Sequence, residues 1–157
     1  MKATEGKERM VKADNSAKDE ELIRRLIYDR QDSLRKKDVE RTVSQYAKDF
    51  VLFDLAPPLR TVNSELSRNL EEWFSTFQGP INIDIRDLDI AVAGDVAFAH
   101  CINHLTGTRT NGDETDVWIR VTVGFRKIDG NWLVTHEHVS VPFYMDGSYR
   151  AAIDLKP

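Results

Sequence analysis

The chain has 157 residues, enough for one domain with a buried core, and its 41% hydrophobic and 31% charged content is that of an ordinary globular protein. A formal net charge of −4 gives no electrostatic reason to expect nucleic acid or an anionic membrane as partner, and no apolar run approaches the roughly 20 residues that span a bilayer. The single cysteine, Cys101, excludes an intramolecular disulfide and suits a reducing compartment, so the expected location is cytoplasmic.

Residues 1 to about 16 are polar, aperiodic and without the apolar segment of a secretory signal. They are expected to form a flexible extension ahead of a single domain over residues 17–157. Ser16 followed by Asp19 resembles a helix-start capping pair. Leu22, Ile23, Leu26, Ile27, Arg30 and Leu34 then recur at helical spacing, which predicts a helix to about Lys37. Asp38 can cap a second, short helix through Tyr46 that buries Val39, Val43 and Tyr46. FVLFD, residues 50–54, reads as a strand stopped by Ala56-Pro57-Pro58. A third helix over about 63–77 places Leu66, Leu70, Trp73, Phe74 and Phe77 on one stripe, and Gly79-Pro80 ends it.

From Ile81 the period changes to two. Two long strands meet at Gly94-Asp95, and Asn111-Gly112 leads into a last hairpin, Val117 to Pro142, around Asp129-Gly130. The order α-α-β-α-β-β-β-β predicts an α+β fold: a cone-shaped, curved, mostly antiparallel sheet wrapped around the N-terminal helices. A cavity is expected between sheet and helices, apolar with a few convergent polar groups.

Counting outward from a two-residue turn pairs Phe125 with Val134, Val123 with His136 and Val121 with His138. One face then carries Val117, Ile119, Val121, Val123, Phe125, Val134, His136, His138 and Ser140. The other carries Trp118, Arg120, Thr122, Arg126, Thr135 and Glu137. The expectation is that His136 and His138 project into the cavity, where imidazole can move a proton in either direction. The alternative is that each donates to a buried carbonyl or carboxylate and only supports packing. The H-x-H spacing also suits a metal, with a third ligand from His100, His104 or Asp54; no further ligand follows at a recognisable spacing, and no metal is assigned.

His100 falls opposite Asp89 if Gly94-Asp95 is a two-residue turn; a turn one residue longer would flip the strand. Asp54, ending an apolar strand, is either a base at the pocket mouth or a turn-capping side chain. Trp73, Phe74, Phe53 and Val123 are expected to line the pocket. Trp118, Arg120 and Glu137 on the mixed face are expected to meet a second copy of the chain in a homodimer. No Gly-rich phosphate loop, G-x-S-x-G elbow or C-x-x-C pair is present, and no cofactor is assigned.

The order of elements, with GDVAFAHCINHLTGT followed by ETDVWIRVTVGFRKIDGNWLVTHEHVSVP, resembles the SnoaL-like proteins of the nuclear-transport-factor-2-like superfamily over about residues 19 to 142. Many of these are ketosteroid-isomerase-related. The WLVTHEHVS run is also similar to the C-terminal strand of the association domain of calcium/calmodulin-dependent protein kinase II. The resemblance implies homodimerisation and a ligand pocket. Ketosteroid isomerase pairs a carboxylate base with a tyrosine and a protonated acid. The resemblance would make Asp54 the base and Tyr28, on the first helix, a donor; the second acid has no match in this chain, whose strands offer histidines instead. The expected function is binding of a small, partly apolar organic molecule. Catalysis, if present, would be cofactor-independent isomerase, dehydratase or cyclase chemistry using His136, His138, Asp54 and His100. The alternative is a non-catalytic ligand-binding or homo-oligomerisation module.

Overall fold

Helical spacing in the first half of the chain produces three helices, and the period-two half produces most of a six-stranded sheet. The computed structural model describes the backbone from residue 2 and the side chains from residue 15. Its elements are α1 (Lys2–Arg35), α2 (Val39–Val43), β1 (Tyr46–Phe53), β2 (Thr61–Val62), α3 (Asn63–Ser75), β3 (Asn82–Ala93), β4 (Val96–Thr108), β5 (Glu114–Ile128) and β6 (Asn131–Ser140). The residues of the expected extension over 1 to 16 carry the backbone of α1 from Lys2 onward, and their side chains before residue 15 lie outside the described ones. Among the described residues no helix is long and apolar enough to cross a membrane.

The strands lie in the order β2-β1-β6-β5-β4-β3, and every neighbouring pair is antiparallel except β1 with β6. The fold is therefore the predicted α+β arrangement with one added short strand, β2. Its Val62 pairs with Val51. The first helix runs through Ser16 and Asp19, so these residues do not cap it. Asp19 instead accepts hydrogen bonds from Trp132 Nε1 at 2.9 Å and Lys127 Nζ at 2.8 Å, tying α1 to the last hairpin. At its other end α1 closes with Lys37 in the left-handed region (φ 57) and Asp38 N–H bonded to Ser33 O, which satisfies carbonyls the helix leaves open. Asp38 then caps α2 by accepting from Arg41 N–H at 3.0 Å. That helix stops at Val43, earlier than predicted, because Tyr46 already begins β1.

The turn at Asp129-Gly130 has positive φ at both residues (49 and 81), the geometry whose twist matches a two-stranded ribbon. Phe125 pairs with Val134 as expected. The next rung departs: Gly124 pairs with His136, Val123 with Glu137 and Thr122 with His138. Thr135 is one extra residue in β6, a bulge, and its hydroxyl donates to Gly124 O at 3.3 Å. Because the side-chain period of a strand is two, this single insertion exchanges the faces of everything beyond it. A similar shift in β3, between Arg86 and Asp89, places Asp87 in the left-handed region (φ 52).

Inward-facing Val121, Val123, Phe125 and Val134 join Ile23, Phe50, Leu52 and Trp132 in the main core. Burial of each large apolar side chain there contributes about 1.5–3 kcal/mol relative to exposure. A second cluster of Phe74, Phe77, Ile81 and Leu105 closes the end of the molecule beside α3.

Candidate functional site: an ion pair in an apolar cavity

Between α1 and the inner face of the sheet lies a cavity of about 60 Å³. Its apolar wall comes from Leu26, Ile27 and Leu34 of α1, Ile85 and Leu88 of β3, and Val121, Val123 and Phe125 of β5. These positions follow from the two periods, 3.6 on the helix and 2 on the strands. Five polar residues interrupt the wall: Arg30, Gln31, Cys101, Asn103 and Glu137.

Arg30 replaces an apolar residue in the α1 stripe, so its guanidinium is carried under the sheet. Glu137 reaches the same place because of the Thr135 bulge. Arg30 Nη2 donates to Glu137 Oε2 at 2.5 Å and to the Tyr46 hydroxyl at 2.5 Å, and Tyr46 donates to the same Glu137 oxygen at 2.5 Å. A carboxylate out of water is costly unless paired and hydrogen-bonded, and here one oxygen receives both partners. Desolvation lowers the Arg30 pKa, but the charges of Glu137 and Tyr46 and its bonds to them outweigh it, and the guanidinium stays charged. Desolvation pushes the Tyr46 phenol well above its usual range; Arg30 opposes and Glu137 adds to the rise, so Tyr46 keeps its proton. On the cavity wall Cys101 donates to Asn103 Oδ1 at 3.2 Å, and burial raises its thiol to about 11, which leaves it a poor nucleophile at neutral pH.

The expected cavity placement of His136 and His138 is corrected by the bulge: both project from the outer face. His136 Nδ1 lies 2.8 Å from Val51 O, and since a carbonyl only accepts, the imidazole donates and holds β6 to β1. Phe53, expected in the pocket, also lies outside, its ring edge-on to His136 at 4.9 Å and to His138 at 5.6 Å. His100 does pair with Asp89 across the strands, 3.5 Å apart, but on the outer face, because Ala99, Cys101 and Asn103 point inward. Tyr28 sits two residues from both Leu26 and Arg30, roughly half a turn away around the helix, and is 46% exposed. Trp73 and Phe74 pack on each other and on the second core, away from the cavity, with Trp73 5.7 Å from Phe77. Val123 lines the cavity as predicted.

Glu137, assigned by counting to the outer mixed face, is the buried carboxylate of the cavity; Trp118 and Arg120 are on the outer face as expected. There Trp118 stacks on His104 at 4.3 Å while Asp116 holds the same imidazole at 2.7 Å. Asp54 follows β1, is exposed, and accepts from Leu55 N–H at 2.7 Å. Desolvation raises its carboxyl above the ordinary aspartate range; the Leu55 bond opposes, Glu137 adds to the rise and Arg30 opposes it. Among the described residues no group of three or more His, Cys, Asp or Glu is arranged to hold a metal ion.

Counting along the chain missed Arg30, Tyr46 and Glu137 as a unit. Two signals pointed to them. An arginine stood inside the apolar stripe of α1, and Val139 and Val141 are in phase with Glu137 rather than with His136 and His138.

Residues 23–144 match the family model of the SnoaL-like domain. The fold superposes on an NTF2-like protein of unknown function from Pseudomonas putida KT2440 with a TM-score of 0.82, 33% identity, and coverage of 90% of this chain and 99% of that one. A ketosteroid isomerase-like protein from Erwinia carotovora atroseptica SCRI1043 gives 0.67 at 20% identity, covering 77% and 94%. The association domain of C. elegans CaMKII gives 0.65 at 16% identity, covering 82% and 99%. The last two likenesses are of fold alone. A comparison with curated proteins finds no match.

Proposed function

Since this chain belongs to the SnoaL-like family of the nuclear-transport-factor-2-like superfamily, we propose that it is a pocket protein that binds a small, partly apolar organic molecule between α1 and the sheet. The observation that carries this reading is a desolvated Arg30–Tyr46–Glu137 cluster opening onto walls that are otherwise mostly apolar. The chemistry it supports is cofactor-independent proton transfer of the isomerase or lyase kind. Glu137 would take a proton on its second oxygen, and Arg30 Nη1 would donate to the negative charge that develops on the substrate. Mass spectrometry of the purified, denatured protein tests the binding. A small organic molecule should be released from the wild type and be absent from Val123→Phe, which fills the cavity from its wall. Retention of the same molecule by Val123→Phe would move the site elsewhere.

Homodimerisation through the outer sheet face is a second reading, favoured by Phe98, 50% exposed, and Phe53, 39% exposed, on the same face as Trp118 and Arg120. Light scattering at micromolar concentration should give a dimer for the wild type and a monomer for Phe98→Glu. A wild-type monomer would remove this reading and leave the pocket untouched.

A further inference from the structure

We infer that the polar group this cavity receives is a hydroxyl, carried on an otherwise apolar and uncharged molecule; the inference rests on the small-molecule reading above. The hydrogen-bonding capacity left over inside the cluster carries it. Arg30 Nη2 has two protons, and both are spent, one on Tyr46 and one on Glu137. Glu137 Oε2 takes that proton and the one from Tyr46. What remains is Glu137 Oε1 as an acceptor and Arg30 Nη1 as a donor, neither hydrogen-bonded among the described residues. Arg30 Nε also lacks a partner but is sealed from the cavity. The side chains of Arg30 and Glu137 are 16% and 5% exposed, so the unused atoms have little water to turn to.

A single oxygen that both donates to Oε1 and accepts from Nη1 satisfies the pair. A hydroxyl does this. A ketone only accepts, and it would leave Glu137 Oε1 unpaired. A carboxylate would set a second negative charge beside Glu137, and an ammonium a second positive charge beside Arg30, in a site whose own charges already cancel. Most of the remaining wall, Leu26, Ile27, Leu88, Val121, Val123 and Phe125, offers apolar contact to the rest of the ligand, while Gln31 already donates to Ile83 O and Cys101 to Asn103.

Calorimetric titration of the wild-type protein at pH 7 with cyclohexanol, cyclohexanone, cyclohexanecarboxylate and cyclohexylammonium tests this with one ring and four polar groups. The alcohol should bind about ten-fold tighter than the ketone, a hydrogen bond to a charged group being at stake, and both should exceed the two ions. In Glu137→Gln the alcohol's advantage over the ketone should fall to about two-fold or less. A ketone or an ion binding as tightly as the alcohol overturns the hydroxyl assignment while the pocket reading stands. If none of the four binds the wild type, the pocket reading itself fails and takes this inference with it. The wild-type series decides the matter even if Glu137→Gln does not fold.

Discussion

Two neighbouring rows of residues cross the sheet from β3 to β1, one rung apart and pointing opposite ways. Ile90, Ala99, Val123, Glu137 and Leu52 face the helices; Asp89, His100, Thr122, His138 and Phe53 face outward. Each row holds at least one ionisable side chain. In the inner row the lone carboxylate has lost its water and must be held by Arg30 and Tyr46. In the outer row His100 and Asp89 stand 3.5 Å apart with most of both side chains in solvent, where an ion pair contributes about 0–1 kcal/mol. Side-chain type therefore says little about consequence here. Which side of the sheet a residue occupies decides it, and Thr135 decides which side.

The comparison is broken most severely by deleting Thr135. That change would send Glu137 outward and His136 and His138 into the core, and the expected loss exceeds about 5 kcal/mol, seen as absence of a cooperative urea transition. Next comes Glu137→Ala, which strands a buried guanidinium and should cost about 3–5 kcal/mol in urea denaturation at pH 7. The double change Arg30→Met with Glu137→Leu should recover most of that loss, because replacing a buried pair by apolar groups is often neutral or stabilising. No recovery would mean that the cluster stabilises the fold beyond offsetting its own burial.

Asp19→Asn, at the α1–hairpin tie, should cost about 1–2 kcal/mol at pH 7 through weaker bonds from Lys127 and Trp132. Desolvation pushes the Asp19 carboxyl up, but those two bonds and the Lys127 charge outweigh it and hold it below the ordinary range. A depressed aspartate stabilises above its unfolded-state pKa, and that contribution disappears as pH falls through the folded-state value. The gap between wild type and Asp19→Asn should accordingly narrow as pH drops below about 4. The smallest effect is expected in the outer row: His138→Ala should stay within about 0.5 kcal/mol and leave ligand binding unchanged.

Much of the fold was legible because periodicity and turn chemistry are local. The α1 stripe, the Asp38 cap, the Asp129-Gly130 turn and the His100–Asp89 rung can each be read within a few residues. The site was not, for a reason visible in two strands. The apolar residues that β6 and its end turn to the core are even-numbered at Trp132 and Val134 and odd-numbered at Val139 and, just past the strand, Val141. In β3 they are odd at Ile83 and Ile85, then even at Leu88, Ile90 and Val92. Each change of phase is a bulge, and neither Thr135 nor Asp87 announces one by its chemistry. Counting straight through Thr135 therefore put the correct residues of β5 inside and the wrong residues of β6 with them. The partnership of Arg30 with Glu137 has no local signature, since it is made only in the folded chain.

That partnership also has a consequence in time. Glu137 meets Tyr46 across 91 positions of the chain and Arg30 across 107, and β6 reaches them by pairing in parallel with β1. Contacts of such long range form late, after the local hairpins, because a large loop must close before they return anything. On a ribosome, α1 and β1 have emerged long before β6 exists to meet them. Until then, the guanidinium and the phenol wait without their carboxylate. The cluster is thus a completion mark: a chain truncated before β6, or one whose ends have not met, can hold helices and hairpins but no site.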